Sequence, residues 1–163
     1  MPLEIERKFL TSSGDWRELV ETSSLLRQGY LANTSRSSIR VRIAGDGAWI
    51  SVKAMTPGIA RAEYEYPVPV AEAAEMLAAL CEPPFIEKWR HRVRWDGLVW
   101  EVDEFLGDNA GLVVAEIELE RVDQHFARPP WLGAEVTDDL RFYNFQLARA
   151  PWSSFRTAFV EGR

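Results

Sequence analysis

Seven segments of this chain alternate so regularly between apolar and charged residues that each, drawn as a β-strand, has one apolar face and one ionic face. In the first, Glu4, Glu6 and Lys8 stand opposite Leu3, Ile5 and Phe9. Arg40 and Arg42 stand opposite Ile39, Val41 and Ile43, and Lys53 shares a face with Ser51 opposite Ile50 and Val52. Glu63 and Glu65 oppose Tyr64 and Tyr66, and one long segment carries Lys88, Arg90, Arg92 and Arg94 on a single side. Glu101 and Asp103 oppose Trp100 and Val102, and Glu116, Glu118 and Glu120 oppose Ala115, Ile117 and Leu119. One such segment would be an ordinary half-solvated strand. The set is unusual because, beyond the first segment, the charges are sorted by sign within strands, whereas a solvated face gains from mixed signs.

Two arrangements accommodate these faces. Charges can meet solvent around an apolar core, or they can line the lumen of a barrel whose apolar outer wall is covered by helices. Sign sorting favours the second. Such a lumen is costly if dry but reasonable if it holds water, divalent cations and a polyanion. Carboxylates without His or Cys are the hard oxygen ligands of Mg²⁺ and Mn²⁺. Same-face strand neighbours lie roughly 7 Å apart, so Glu4 and Glu6 can converge on one ion or a close pair. Arginine and lysine supply a clamp for phosphoryl oxygens.

The rest of the chain supports a barrel. Turn signals at Gly45-Asp46-Gly47 and Asp96-Gly97 join alternating segments in hairpin order. Eight strands are expected, over residues 3–9, 25–32, 37–43, 48–54, 61–68, 85–95, 98–105 and 112–122, with helices over 12–21, 70–80, 139–148 and 152–160. The expected fold is α+β and mainly β: a closed eight-stranded antiparallel barrel with short covering helices. A chain of 163 residues with 47% hydrophobic content suits one domain over 1–163. A formal charge of −6 argues against a general nucleic-acid binder. Cys81, the one cysteine, excludes an intrachain disulfide or a thiolate zinc site. No apolar run reaches the roughly 20 residues of a membrane span, and no signal-like leader is evident, so a soluble cytoplasmic protein is expected. No G-x-S-x-G or Walker phosphate loop occurs. Cys81, His91 and His125 read as structural or exposed residues rather than catalytic ones. Trp131 and Trp152 are candidates for exposed aromatics at a homodimer interface.

The motifs occur in a telling order: E-x-E-x-K at 4–8, RQGYL at 27–31, R-x-R at Arg40 and Arg42, and Lys53. E-Y-E at 63–65, E-K-x-R at 87–90, Asp103, E-x-E at Glu116 and Glu118, and GAEVTDDLRFYN at 133–144 follow. This set resembles the CYTH, or triphosphate tunnel metalloenzyme, superfamily over nearly the whole chain. The resemblance implies an eight-stranded tunnel that binds triphosphate with Mg²⁺ or Mn²⁺, two ions per site. It implies Glu4, Glu6, Asp103, Glu116 and Glu118 as metal-binding residues. Lys8, Arg40, Arg42, Lys53, Lys88 and Arg90 are implied to hold the phosphates, and Glu63 and Glu65 match acids of the substrate-binding wall. Glu4, Glu6 and Lys88 are the implied catalytic residues, whereas Arg92 and Arg94 fall towards the mouth. The short form looks most like bacterial enzymes that hydrolyse inorganic tripolyphosphate to pyrophosphate and phosphate. Class IV adenylate cyclase, thiamine triphosphatase and a module that binds polyphosphate without turnover are the alternatives.

Overall fold

The computed structural model of the chain describes residues 2–56 and 58–162. Nine strands occur among them: β1 (Leu3–Thr11), β2 (Val20–Asn33), β3 (Ser37–Ala44), β4 (Gly47–Ala54), β5 (Ala60–Pro67), β6 (Ile86–Trp95), β7 (Leu98–Phe105), β8 (Val113–Glu118) and β9 (Leu132–Glu135). The helices are α1 (Val70–Ala79), α2 (Asn144–Arg149) and α3 (Trp152–Val160), with 3₁₀ turns at Asp15–Leu19, Gly107–Asn109 and Leu140–Phe142. Hydrogen bonding runs in the order β5-β4-β3-β2-β6-β7-β8-β1, and β1 returns to β5, closing an eight-stranded antiparallel barrel. Closure leaves the barrel no free edge. The seam is short, with Leu3↔Ala62, Glu4↔Arg61 and Ile5↔Ala60 as its register pairs.

The alternation of the sequence becomes the two sides of this wall. Outward-facing Ile5, Phe9, Val93, Trp100, Val102, Ala115 and Ile117 pack with Trp16 and Trp131 into one apolar coat. Val41 and Ala48 form another beneath Ala73 and Leu77 of α1 and the following Cys81. The helix sits close because β2 presents Gly29 to it. A Cβ there would lie 3.0 Å from Cys81 Cβ and Leu77 Cδ2.

Four expectations need correction. Within residues 12–21 only Asp15–Leu19 is helical, as a 3₁₀ turn, and β2 starts at Val20. Its polar start shows no alternation, but Val20 pairs with Val93 and Thr22 with Arg92, so ladder partners define the strand there. β9 was not expected. Only four residues long, it exists through pairing with Phe9 and Thr11 of β1. Trp131, expected at the surface, is 1% exposed, because its loop folds over the outer wall and sets its ring edge-on to Trp100 at 5.8 Å. Trp152 is partly buried, set edge-on or tilted against Phe142, Phe155 and Phe159.

The fourth correction concerns the carboxy-terminal helices. Leu10, Ile86, Phe105 and Val114 have the same parity as Lys8, Lys88, Asp103 and Glu116, so the inner face itself turns apolar at one end. Those residues pack with Val136, Phe142 and Leu147, and outside them with Trp152, Phe155 and Phe159. The segment that begins with Leu140–Phe142 therefore plugs the barrel instead of coating its wall. No helix among the described residues is long and apolar enough to cross a membrane.

Candidate active site

A cavity of about 570 Å³ occupies the barrel above this plug, lined by the charged faces. Strand order divides its wall into two arcs. The run β7-β8-β1-β5 contributes Glu101, Glu116, Glu118, Glu4, Glu6, Glu63 and Glu65, and the run β4-β3-β2-β6 contributes Lys53, Arg40, Arg42, Lys88 and Arg90. Lys8 also lines the cavity, near the plug, where its Nζ donates to Phe142 O at 3.3 Å and lies 3.6 Å from Glu116 Oε1. Every residue expected at the site is thus brought together except one.

The exception is Asp103. It is fully buried on the inner face of β7, beneath Arg90 and Lys88, where Oδ1 accepts from Arg90 Nε at 2.8 Å. Its Oδ2 accepts from Arg90 Nη2 at 2.9 Å and lies 2.7 Å from Lys88 Nζ. Burial opposes its ionisation, but the charges of Arg90 and Lys88 overcome this and hold the carboxyl well below the usual range. With both oxygens engaged, Asp103, expected among the metal-binding acids, anchors two bases and does not line the cavity. Arg92 and Arg94 are exposed outside the cavity, Arg94 pairing with Glu21 at 2.9 Å.

The bases differ in how they are held. Lys88 is 1% exposed, and Asn144 Oδ1 accepts from its Nζ at 2.8 Å. Burial lowers its pKa to about 7, with Arg90 and Arg42 adding to the effect and Asp103 opposing it. Arg42 donates from Nε to Gln28 Oε1 at 2.8 Å. Burial and then Arg40 and Arg90 lower its pKa to about 9, which leaves it charged at neutral pH. Arg40 donates to Ser51 Oγ at 3.3 Å, and its buried Nε has no hydrogen-bond partner. Arg90, anchored by Asp103, also lies 3.1 Å from Glu101 Oε2.

The acid arc has far fewer counter-charges. Lys53 reaches across to it, 2.6 Å from Glu4, 3.0 Å from Glu63 and 4.0 Å from Glu6. Burial alone would push Lys53 down, but Glu6, Glu4 and Glu63 hold it above the ordinary lysine value. Burial and the charges of Glu4, Glu101, Glu6 and Glu63 raise the pKa of Glu118. That crowding is the excess negative charge a divalent cation would neutralise. Among the described residues no three acid, His or Cys side chains are gathered closely enough to close on an ion by themselves. Mg²⁺ is commonly bound through one or two carboxylates, waters and substrate phosphates, so the donor set fits an ion that arrives with its anion.

Arg61, Gln28, Tyr30, Tyr143 and Asn144 were not identified from the sequence. Arg61, Tyr30, Tyr143 and Asn144 line the cavity, and Gln28 is buried between Arg42 and Asn144. Arg61 precedes Glu63 by two residues, so parity alone would have found it; Tyr143 and Asn144 lie outside any strand alternation and carry a signal only as part of the motif at 133–144. His91 lies on the outer wall between Ser23 and Glu104, and His125 is exposed.

A model of the CYTH domain matches residues 2–147. The chain is 46% identical over 156 residues to an inorganic triphosphatase of Acetivibrio thermocellus, covering 96% of this chain and 99% of that relative. It is 38% identical over 149 residues to an inorganic triphosphatase of Nitrosomonas europaea, covering 89% and 96%. A solved inorganic triphosphatase superposes with a TM-score of 0.65 at 37% identity, over 89% of this chain and 97% of the other. A putative adenylate cyclase from Bacillus halodurans shares the fold at a TM-score of 0.58 and 17% identity, over 76% and 84%.

Proposed function

The chain belongs to the CYTH domain family, and on that footing we propose that it is a divalent-metal-dependent hydrolase of inorganic tripolyphosphate, releasing pyrophosphate and phosphate. The observation that carries this reading is the division of one cavity, within a closed barrel, into facing arcs of acids and bases. A polyanion alone would need only the bases. The acids have a use when cations accompany it.

Glu4, Glu6, Glu116 and Glu118 would hold the cations, Mg²⁺ or Mn²⁺, two per site. Those ions supply Lewis acidity and charge neutralisation. Arg40, Arg42 and Arg90 grip phosphoryl oxygens from the opposite arc and stabilise charge on the transferring group. Lys88 Nζ charges as the polyanion enters and donates to a phosphoryl oxygen. Asp103 and Asn144 hold it in place. The plug and the closed wall limit bulk water and orient the chain of phosphates along the tunnel. In the same reading the protein works in the cytoplasm without a nucleic-acid partner, which the lone buried Cys81 and the charge of −6 support.

Product analysis tests the reading. The purified protein is given tripolyphosphate, ATP or thiamine triphosphate with Mg²⁺, Mn²⁺ or chelator. Metal-dependent release of phosphate and pyrophosphate from tripolyphosphate is expected. Cyclic AMP from ATP would make it a cyclase, and binding without product would leave only a binding module. Glu4→Gln should lose metal-dependent turnover, by about 10²-fold or more, while melting as a folded protein. Wild-type rates in that variant would remove the acid arc from catalysis.

A further inference from the structure

Arg61 stands on the acid arc, opposite Glu4 in register, yet among the described residues no carboxylate forms an ion pair with it. It lines the cavity and is only 9% exposed. Lys53, by contrast, is taken up by three carboxylates. The contact that Arg61 does make is aromatic, its guanidinium lying 4.6 Å from the centroid of Tyr143. Lys8 Nζ lies 4.8 Å from the same centroid. A ring face accepts no conventional hydrogen bond, so the guanidinium N–H donors stay open to an anion that enters the cavity.

The ring is itself held. Tyr143 donates its hydroxyl hydrogen to Thr137 O at 2.9 Å, and Thr137 Oγ1 accepts from the Lys8 backbone N–H at 3.0 Å. Arg61, Lys8 and Tyr143 therefore form one unit where the cavity meets the plug. We propose that Arg61 is a substrate-binding residue that grips, with Lys8, the phosphoryl group reaching the plugged end of the tunnel, and that Tyr143 is its positioning residue. The guanidinium fork presents parallel N–H donors to two oxygens of one phosphoryl group, which a lysine cannot do. Placed on the acid arc, this fork lets one end of the polyanion be held from both sides of the barrel. The identity of the anion rests on the triphosphatase reading.

The test compares wild type with Arg61→Leu, Arg61→Lys, Tyr143→Leu and the Arg61→Leu/Tyr143→Leu double variant. Melting temperature, tripolyphosphate affinity by calorimetry in chelator, and steady-state kinetics with Mg²⁺ are measured. Arg61→Leu should leave the melting temperature close to that of wild type, because no ion pair is lost. It should weaken affinity about 10- to 100-fold and raise KM similarly, with kcat within about threefold. Arg61→Lys should recover part of the loss. Tyr143→Leu should weaken binding when Arg61 is present and add little when it is Leu. Unchanged affinity and KM in Arg61→Leu, or a lower melting temperature with unchanged affinity, overturns the proposal. If wild type binds tripolyphosphate without hydrolysing it, the triphosphatase reading fails, and the affinity measurements still decide Arg61.

Discussion

Lys88 is the residue whose charge depends most on what fills the cavity. Its pKa of about 7 stands well below the roughly 10.4 of an ordinary lysine. Between those values the unfolded chain binds the proton that the folded one releases. The penalty for burying this ammonium is therefore full below about pH 7 and is relieved as pH rises towards 10. A bound polyanion reverses the preference and draws a proton in. Calorimetry of tripolyphosphate binding in chelator at about pH 8, in buffers of different ionisation enthalpy, should show clearly more proton uptake by wild type than by Lys88→Met, by an amount approaching one proton. Equal uptake would mean that Lys88 is already charged. Glu118 poses the opposite problem. Its pKa is raised by burial and by four acids, so the folded state holds its proton more tightly than the unfolded state does. Stability present at low pH is lost as pH rises from the ordinary glutamate value of about 4.3 through the raised one. At neutral pH in chelator, Glu118→Gln should melt slightly above wild type, by no more than about 2 °C because solvent screens this partly exposed group. Mg²⁺ should stabilise it less than wild type, and an undiminished Mg²⁺ effect would place the ion away from Glu118.

At the scale of elements, the least conspicuous strand has a large part. β9 lies against the end of β1, with Gly133 facing backbone: a Cβ there would sit 3.0 Å from Leu10 O and 3.1 Å from Thr11 C. Main chain in a barrel wall cannot swing aside as a side chain can. Gly133→Ala should lower stability by about 1–3 kcal/mol, read as a lower urea midpoint. It should also speed hydrogen exchange at the Ser12 and Val136 amides, which bond to Trp131 O and Lys8 O at 2.8 Å. Unaltered exchange at those two amides would show that β9 is not clamped by this contact. The alternating strands were legible because a two-residue period is a local property. β9 was not, since LGAE has no pattern beyond its pairing with β1. The last helix, Trp152–Val160, was legible as an element. The helix expected over 139–148 is instead a 3₁₀ turn followed by Asn144–Arg149, and the use of this segment as a plug was not legible at all. That use depends on Leu10, Ile86, Phe105 and Val114, which come from four different strands.

The whole molecule is a ring welded at a short seam, where β1 meets β5 through Glu4↔Arg61 and its two neighbouring pairs, reinforced by Lys53 between Glu4 and Glu63. A ligand that spans the two arcs should tighten this seam more than the long β2–β6 pairing opposite. Hydrogen exchange of peptides covering residues 2–7 and 59–65 should slow at least about fivefold on adding tripolyphosphate with Mg²⁺. Protection confined to β2 and β6 would argue against a ligand bridging the seam. Parity in the sequence was enough to say which side chains share a face, and therefore that Glu4, Glu6 and Lys8 stand together, as do Arg40 and Arg42. Their signs were enough to suggest a lumen that holds a cation and a polyanion. Which strands are neighbours was decided only in three dimensions, and so was the gathering of the acids on one arc and the bases on the other. The same is true of Asp103, whose partners make it an anchor for Lys88 and Arg90, and of Asn144, which meets Lys88 across 56 residues of chain. Side-chain direction along a strand follows from each residue's own backbone geometry, whereas register, closure and the plug follow from contacts between segments that no local pattern encodes.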